Sequence, residues 1–310
     1  MFKLFKDQHI DFMSKRKLAM LFSAILLLIA LGSLVSRGLN FGIDFTGGTL
    51  VEVSYPKSAV LDDVKKALAS GGFKGATVQH FGTSKDVLIR VAPKDGISQA
   101  DISSRVLAAL VKDQPSVERR RSEYVGPQVG EELTEQGGLA MLYALIGILV
   151  YVTLRFEYRF SLGSVAALVH DVLITLGFFS VFQFEFDLTV LAALLAVIGY
   201  SLNDTIVVYD RIRENFRKLR KKTSLEVMNI SINQTISRTL ITSVTTLLVL
   251  LALFFLGGEI IHGFALALLV GVVIGTYSSI YVASTVALKL GVSKSDLMPV
   301  KKEGEEFDAP

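Results

Sequence analysis

Leu188-Thr-Val-Leu-Ala-Ala-Leu-Leu-Ala-Val-Ile-Gly-Tyr-Ser-Leu-Asn-Asp-Thr-Ile-Val-Val-Tyr-Asp-Arg-Ile-Arg-Glu-Asn215 decides how the rest of the chain is read. Residues 188–208 are apolar over the roughly 20 residues that a helix needs to cross about 30 Å of hydrocarbon. They nevertheless hold a carboxylate, Asp204, and run directly into a charge-dense segment that begins at Asp210 and Arg211. A carboxylate at the centre of a span costs about 2.5–3.5 kcal/mol on insertion scales, so its presence needs a reason.

Five more runs share this apolar character: 18–35, 138–154, 161–182, 239–256 and 264–288. The chain of 310 residues is 51% hydrophobic with a mean hydropathy of +0.51, and the apolar residues are bunched, as in a membrane bundle and not an oversized soluble core. The first run follows Lys15-Arg16-Lys17 but is read as an uncleaved anchor. Its only small-residue site of the signal-peptidase kind, Ala30-Leu31-Gly32, lies inside the apolar core. Lys and Arg fill the segments 1–17, 155–160, 209–238 and 289–310, while the short links 183–187 and 257–263 contain neither. That asymmetry places both termini in the cytoplasm and residues 36–137 outside. Within 209–238, Ile212, Phe216 and Leu219 recur at helical spacing among the charges, which predicts an amphipathic helix lying on the membrane lipid.

Residues 36–137 read as a soluble α+β domain. Strands are expected at 49–55, 77–82, 86–92 and 116–125. Helices are expected after the caps Ser58 and Ser98, the first ending at Gly71-Gly72 and the second stopped by Pro115. The order β-α-β-β-α-β is that of a ferredoxin-like sandwich. Between Arg37 and Gly137 there are thirteen basic and thirteen acidic residues, which argues against a broad electrostatic grip on nucleic acid. The chain has no Cys and four scattered His, so neither thiolate chemistry nor a metal-ligand spacing is visible and no cofactor is expected. Gly47-Gly48 lacks the Lys-Ser/Thr that would make a phosphate loop. With no nucleophile–base set in view, the chain is not read as an enzyme.

Three positions carry charge inside the spans. His170-Asp171 lies about 15 Å of helix rise from Ser161, near the midplane. Asp204 lies about 9 Å from Asp210, toward the cytoplasmic side, and Arg238 opens the fifth run at comparable depth. An ion pair between Asp204 and Arg238 is therefore expected when the carboxylate is ionised, although an arginine near a span end can also snorkel to the interface. Hydroxyls on Thr239, Thr242, Ser243, Thr245 and Thr246, and small residues Gly271, Gly275, Ser278, Ser279 and Ser284, are read as faces for close helix packing.

Several of these stretches resemble one family. Phe41-Gly-Ile-Asp-Phe-Thr-Gly-Gly-Thr49, Val169-His-Asp-Val172, Ile198–Asn215 and Ser231-Ile-Asn-Gln-Thr-Ile-Ser-Arg-Thr239 are similar to segments of the SecF family, RND-type membrane subunits of the bacterial SecDF protein-export complex. The resemblance covers nearly the whole chain. It implies a multi-pass protein of the bacterial inner membrane with six transmembrane helices and a periplasmic ferredoxin-like domain. It further implies pairing with SecD, docking near the SecYEG channel, YidC- or YajC-type proteins as further accessory partners, and an unfolded preprotein as cargo. The work would be late, ATP-independent translocation driven by the proton or sodium gradient. The family's membrane carboxylate falls on Asp204 and its mobile arginine on Arg238, with His170 and Asp171 as further relay candidates. Tyr200, Ser201, Asn203, Thr205, Asp210 and Arg211 form the supporting fourth-span motif, and Asp44, Gly47 and Gly48 the hinge candidates outside. The alternatives are half of an RND-type exporter for another substrate, or a membrane scaffold that transports nothing. The single six-span repeat disfavours the first, and the scaffold leaves Asp204 without a purpose.

Overall fold

The computed structural model describes residues 10–93, 99–219 and 221–292. In chain order the elements are α1 (Arg16–Arg37), β1 (Asn40–Phe41), α2 (Ile43–Thr46), β2 (Gly48–Ser54), α3 (Leu61–Ser70), β3 (Thr77–Phe81) and β4 (Thr83–Val91). They continue with α4 (Gln99–Asp113), β5 (Glu118–Val125), α5 (Pro127–Arg155), α6 (Tyr158–Phe182), β6 (Glu185–Phe186), α7 (Leu188–Lys218), α8 (Ser224–Leu256), α9 (His262–Ser278) and α10 (Ser284–Lys289). A π-helical turn, Ser279–Ala283, joins α9 to α10, so that His262–Lys289 forms one long rod. Six of these rods are long and apolar enough to cross a membrane.

β2 to β5, with α3 and α4, make the ferredoxin-like domain. Its strands are ordered β3-β4-β2-β5 and every neighbour is antiparallel. The alternation of β2 sends Val51 and Val53 inward, where they meet Val87 and Ile89 of β4 and the apolar stripes Val64, Leu68 and Ile102, Val106, Leu110 of the two helices. The expected cap Ser58 is not the N-cap of α3. That position is Val60, in extended backbone and with no side-chain cap. The expected cap Ser98 lies outside the described residues.

In the membrane part, α6, α7 and the α9–α10 rod are mostly buried, whereas α1, α5 and α8 are mostly exposed along their apolar lengths. Small residues permit the central packing. A Cβ on Gly271 of α9 would collide with Val197 of α7, and one on Gly275 would lie 3.0 Å from Ser201 Cβ.

Three boundaries differ from the sequence reading. The outer domain ends at Gly126, because Pro127 starts a helix that runs unbroken to Arg155, with its first turns too polar to register as span. α7 does not stop at Val208 but continues to Lys218, and α8 begins at Ser224 behind a capping box made by Thr223 and Glu226. The segment 209–238 is therefore two helix ends joined by a tight link. Ile212 and Phe216 are buried in the protein core with Val227, Met228 and Ile232, and Asn215 Nδ2 donates to Ser231 Oγ and Gln234 Oε1, each at 2.8 Å. The apolar face expected on lipid is spent on packing α7 against α8.

The domain and the bundle meet at a short junction. β1 pairs in parallel with β6, which belongs to the link between α6 and α7. Asp44 Oδ2 accepts from the Leu188 amide at 3.0 Å, while Asp187 accepts from the Val190 amide at 2.8 Å. Both carboxylates thus sit at the N-terminus of α7, where exposed amides favour negative charge. Arg90 of β4 bridges to Glu185 at 2.5 Å and donates to the Phe41 carbonyl at 3.0 Å.

Candidate functional site

Two polar layers lie inside the bundle. The outer one centres on Asp171, fully buried near the middle of α6. Its Oδ2 accepts from Ser201 Oγ of α7 and Ser278 Oγ of α9, both at 2.6 Å. Its Oδ1 meets His170 Nδ1 at 2.8 Å, and His170 Nε2 meets Ser23 Oγ of α1 at 3.1 Å. Ser23 Oγ in turn lies 3.0 Å from the Tyr277 hydroxyl, which donates to the Ala19 carbonyl at 2.6 Å. One carboxylate thereby ties four helices together.

Tyr277 already donates to the Ala19 carbonyl, so its oxygen accepts from Ser23 Oγ, and Ser23 in turn accepts from His170 Nε2.

The inner layer is unsatisfied. Asp204 lies three residues beyond Ser201 on α7, on the same face and about 4.5 Å closer to the Lys218 end. Its side chain is 3% exposed and its Oδ2 has no hydrogen-bond partner among the described residues. The hydroxyls of Thr205 beside it, Thr239 on α8 and Thr285 on α10 are buried and have no partner among the described residues, while Ser164 on α6 meets the Tyr209 hydroxyl. Buried polar atoms are normally hydrogen-bonded, and a group of exceptions marks a place where something polar is taken up.

Arg238 does not close this layer. Asp204 lies fourteen residues from Lys218 and Arg238 fourteen from Ser224, so the antiparallel pair places both about 21 Å from their shared link. Depth agrees with the expectation. Arg238 is exposed on α8, and among the described residues no nitrogen of it comes within 4.0 Å of a carboxylate. The two side chains are not in direct contact here, although the Arg238 charge is the one that acts on Asp204.

The remaining motif residues separate. Ser201 joins the Asp171 network and Thr205 the unsatisfied layer. The Tyr200 hydroxyl points to Ser243 Oγ at 3.4 Å, and Ser243 bonds Thr276 Oγ1 at 2.7 Å, linking α7, α8 and α9. Asn203 is exposed and takes no part. Asp210 pairs with Arg155 at 3.2 Å and Arg211 with Glu214 at 2.7 Å, both at the rim. Gly47 and Gly48 lie far from either layer, in positive-φ backbone at the outer junction. A Cβ on Gly47 would lie 2.9 Å from Pro127 Cα, and one on Gly48 would lie 2.6 Å from the Val91 carbonyl. The sequence reading missed Ser23 and Tyr277 and gave Ser278 only a packing role. Ser23 was open to notice, as one of the few hydroxyls within the first apolar run.

Comparison with known proteins gives the same picture. Residues 105–293 match the family described as "Protein export membrane protein SecD/SecF, C-terminal", and residues 32–58 match the "SecD/SecF GG Motif", which contains Gly47 and Gly48. The protein translocase subunit SecF of Vibrio alginolyticus is 55% identical, with 99% of each chain covered, and that of Pseudomonas aeruginosa is 50% identical over 97% of this chain and 98% of its own. The crystal structure of SecDF, a translocon-associated membrane protein from Thermus thermophilus, superposes with a TM-score of 0.84 at 39% identity. That likeness covers 94% of this chain and 40% of the SecDF chain. With full-length relatives at this identity and both sequence models matched, the chain belongs to the SecF family of protein-translocase membrane subunits.

Proposed function

We propose that this chain is the SecF-type subunit of a Sec translocase accessory complex, and that with a SecD-type partner it uses the proton or sodium gradient to assist late, ATP-independent steps of preprotein translocation through a SecYEG-type channel. The observation that carries this reading is the buried, half-unpartnered Asp204. A carboxylate in such a place is tolerated when it takes a proton or a cation, and not when it stands ionised and alone. The Asp171 network, one turn farther out, supplies the further relay candidates His170 and Asp171. The hydroxyls of Thr205, Thr239 and Thr285 supply polar stepping points on the inner side.

In the cycle we envisage, neutral Asp204 needs no cation and Arg238 stands at the exposed flank. Loss of the proton draws Arg238 toward Asp204 and shifts α8 against α7, so one ionisation event becomes a helix movement. The chain performs no covalent catalysis of its own. Its termini lie in the cytoplasm and its ferredoxin-like domain in the periplasm, in keeping with the Lys and Arg distribution. The exposed apolar faces of α5 and α8, including Ile146, Val150, Val244 and Leu248, are available for the SecD-type partner and for lipid.

Asp204→Asn keeps the shape and removes the titration. Export into membrane vesicles should keep its ATP-driven phase and lose the increment that an imposed gradient adds. Full gradient-dependent export by this variant refutes the coupling role.

A further inference from the structure

We propose that a cavity at the membrane-distal tip of the ferredoxin-like domain binds the side chain of a lysine in an extended polypeptide. β2 leaves the junction at Gly48 and runs for seven residues, about 23 Å, to Ser54. Ser54 pairs with Glu118 at the start of β5, so the segments Tyr55 to Val60 and Asp113 to Gln114 lie at the end farthest from the spans. Between them opens a cavity of about 130 Å³, close to the size that takes a single benzene ring.

Its lining is selective. The charged side chains on its wall are two carboxylates, Asp63 of α3 and Asp113 of α4. Asp113 has no ion pair among the described residues, and Asp63 has only Lys66 at 3.2 Å, both groups well exposed and easily exchanged. Tyr55 supplies the independent observation. It is 7% exposed, it lines the cavity, and its hydroxyl has no hydrogen-bond partner among the described residues. Burial and the neighbouring Asp113 charge push that phenol up to about 12, so it stays a neutral donor and acceptor at any working pH. Ser58 also lines the cavity. Val60, not Ser58, holds the N-cap position of α3, so the Ser58 hydroxyl is not engaged as that helix's cap.

The floor is apolar, with Val64 and Leu110 buried. Two carboxylates and two hydroxyls above an apolar floor match an ammonium group with three donors on an aliphatic stem. An anion would meet only repulsion, and an uncharged apolar group would leave both carboxylates idle. Within a domain whose charges otherwise balance, this is a local preference for cations, placed where a chain emerging from the membrane would pass. The polypeptide source of the ammonium rests on the proposed function. The cation preference does not.

The test is ligand-observed saturation-transfer NMR on the full chain in detergent micelles, with the acetylated and amidated peptide Ala-Ala-Lys-Ala-Ala as probe. The lysine methylenes should receive the strongest saturation, and acetylating the lysine should abolish it. The Asp63→Asn/Asp113→Asn double variant should bind about tenfold more weakly, as expected for loss of two exposed charge pairs. Tyr55→Phe should weaken binding by a smaller factor and keep the aliphatic contacts. n-Butylamine separates the two sources: weaker binding than the peptide supports a polypeptide ligand, and equal binding overturns that part. Saturation spread evenly over the peptide, or unchanged by acetylation or by the substitutions, overturns the site. Should the double variant misfold, acetylation of the probe and Tyr55→Phe still decide. If the peptide fails to bind while export still depends on Asp204, the cavity is refuted and the motor reading stands; the converse pattern refutes the motor alone.

Discussion

Asp171 and Asp204 are both buried carboxylates, yet the structure assigns them opposite energetic roles, and the difference can be measured. Asp171→Ala removes the acceptor of three side-chain contacts, from Ser201, Ser278 and His170. Side-chain hydrogen bonds between membrane helices average about 0.6 kcal/mol and reach about 1.7. The two that cross helices, from Ser201 and Ser278, amount to about 1 kcal/mol at the average and about 3 at the upper end, with the two serine hydroxyls and the imidazole left buried and unpaired as a further cost. Asp204→Asn removes no hydrogen bond from Oδ2, because that oxygen has none among the described residues, and should stay within about 0.5 kcal/mol of the parent. Reversible unfolding in mixed detergent–SDS micelles, followed by far-UV circular dichroism, reports both on one scale. Ser201→Ala and Ser278→Ala should each lose a fraction of the Asp171→Ala effect, and less than their sum once Asp171 is already gone, because the three groups share one acceptor. An Asp171→Ala variant as stable as the parent, or an Asp204→Asn variant as unstable as Asp171→Ala, refutes this division of roles.

Two further outcomes follow. In this Cys-free chain, a Cys at Ser84 should react with an impermeant maleimide on intact spheroplasts and one at Thr223 should not; the reverse labelling overturns the topology. At the outer junction, burial raises the Glu185 carboxyl above its ordinary value, the Arg90 guanidinium pulls it down, Asp187 and Asp44 push it up again, and Gln79 lowers it by a hydrogen bond. An acid raised on folding contributes stability that is full below its unfolded value and is lost as pH rises through the folded one. The β1–β6 pairing should therefore open more readily as pH climbs above the ordinary glutamate range. Hydrogen exchange at the Gly42 amide, which donates to the Phe186 carbonyl at 2.8 Å, reads this once intrinsic rates are corrected, and Glu185→Gln should flatten the dependence. A pH-independent parent, or a pH-dependent Glu185→Gln variant, contradicts it.

The parts of this architecture that are set locally were legible in the sequence. Hydropathy marks each span because lipid imposes the same demand on every residue of a run, and the strand–helix order of the outer domain leads to its sheet order because split βαβ units close in few ways. The continuation of α7 was not legible. Ile212 and Phe216 keep the same spacing whether they face lipid or another helix, and only their burial against Val227 and Met228 tells which. The early start of α5 was hidden by Glu131, Glu132 and Glu135, which suppress the apolar signal without breaking the helix. In the site, depth could be counted along the chain but rotation about the helix axis could not. Asp204 and Arg238 could therefore be placed at the same level, but whether their side chains touch could not be read. Ser278 read as a packing residue and Ser23 went unread because their partners, Asp171 and His170, belong to a different helix.

The outer junction makes the ferredoxin-like domain a lever and not a pendant. The chain enters it beside Gly47 and leaves it at Pro127, two points in van der Waals contact, while the β1–β6 pair and the Arg90–Glu185 bridge fasten it to the link between α6 and α7. The fulcrum is thus attached to four spans at once, α1, α5, α6 and α7. A tilt of about 10° there carries the end of β2, about 23 Å away, through about 4 Å. That is roughly the length of one residue in an extended strand, so a small rocking of the helices is magnified at the tip.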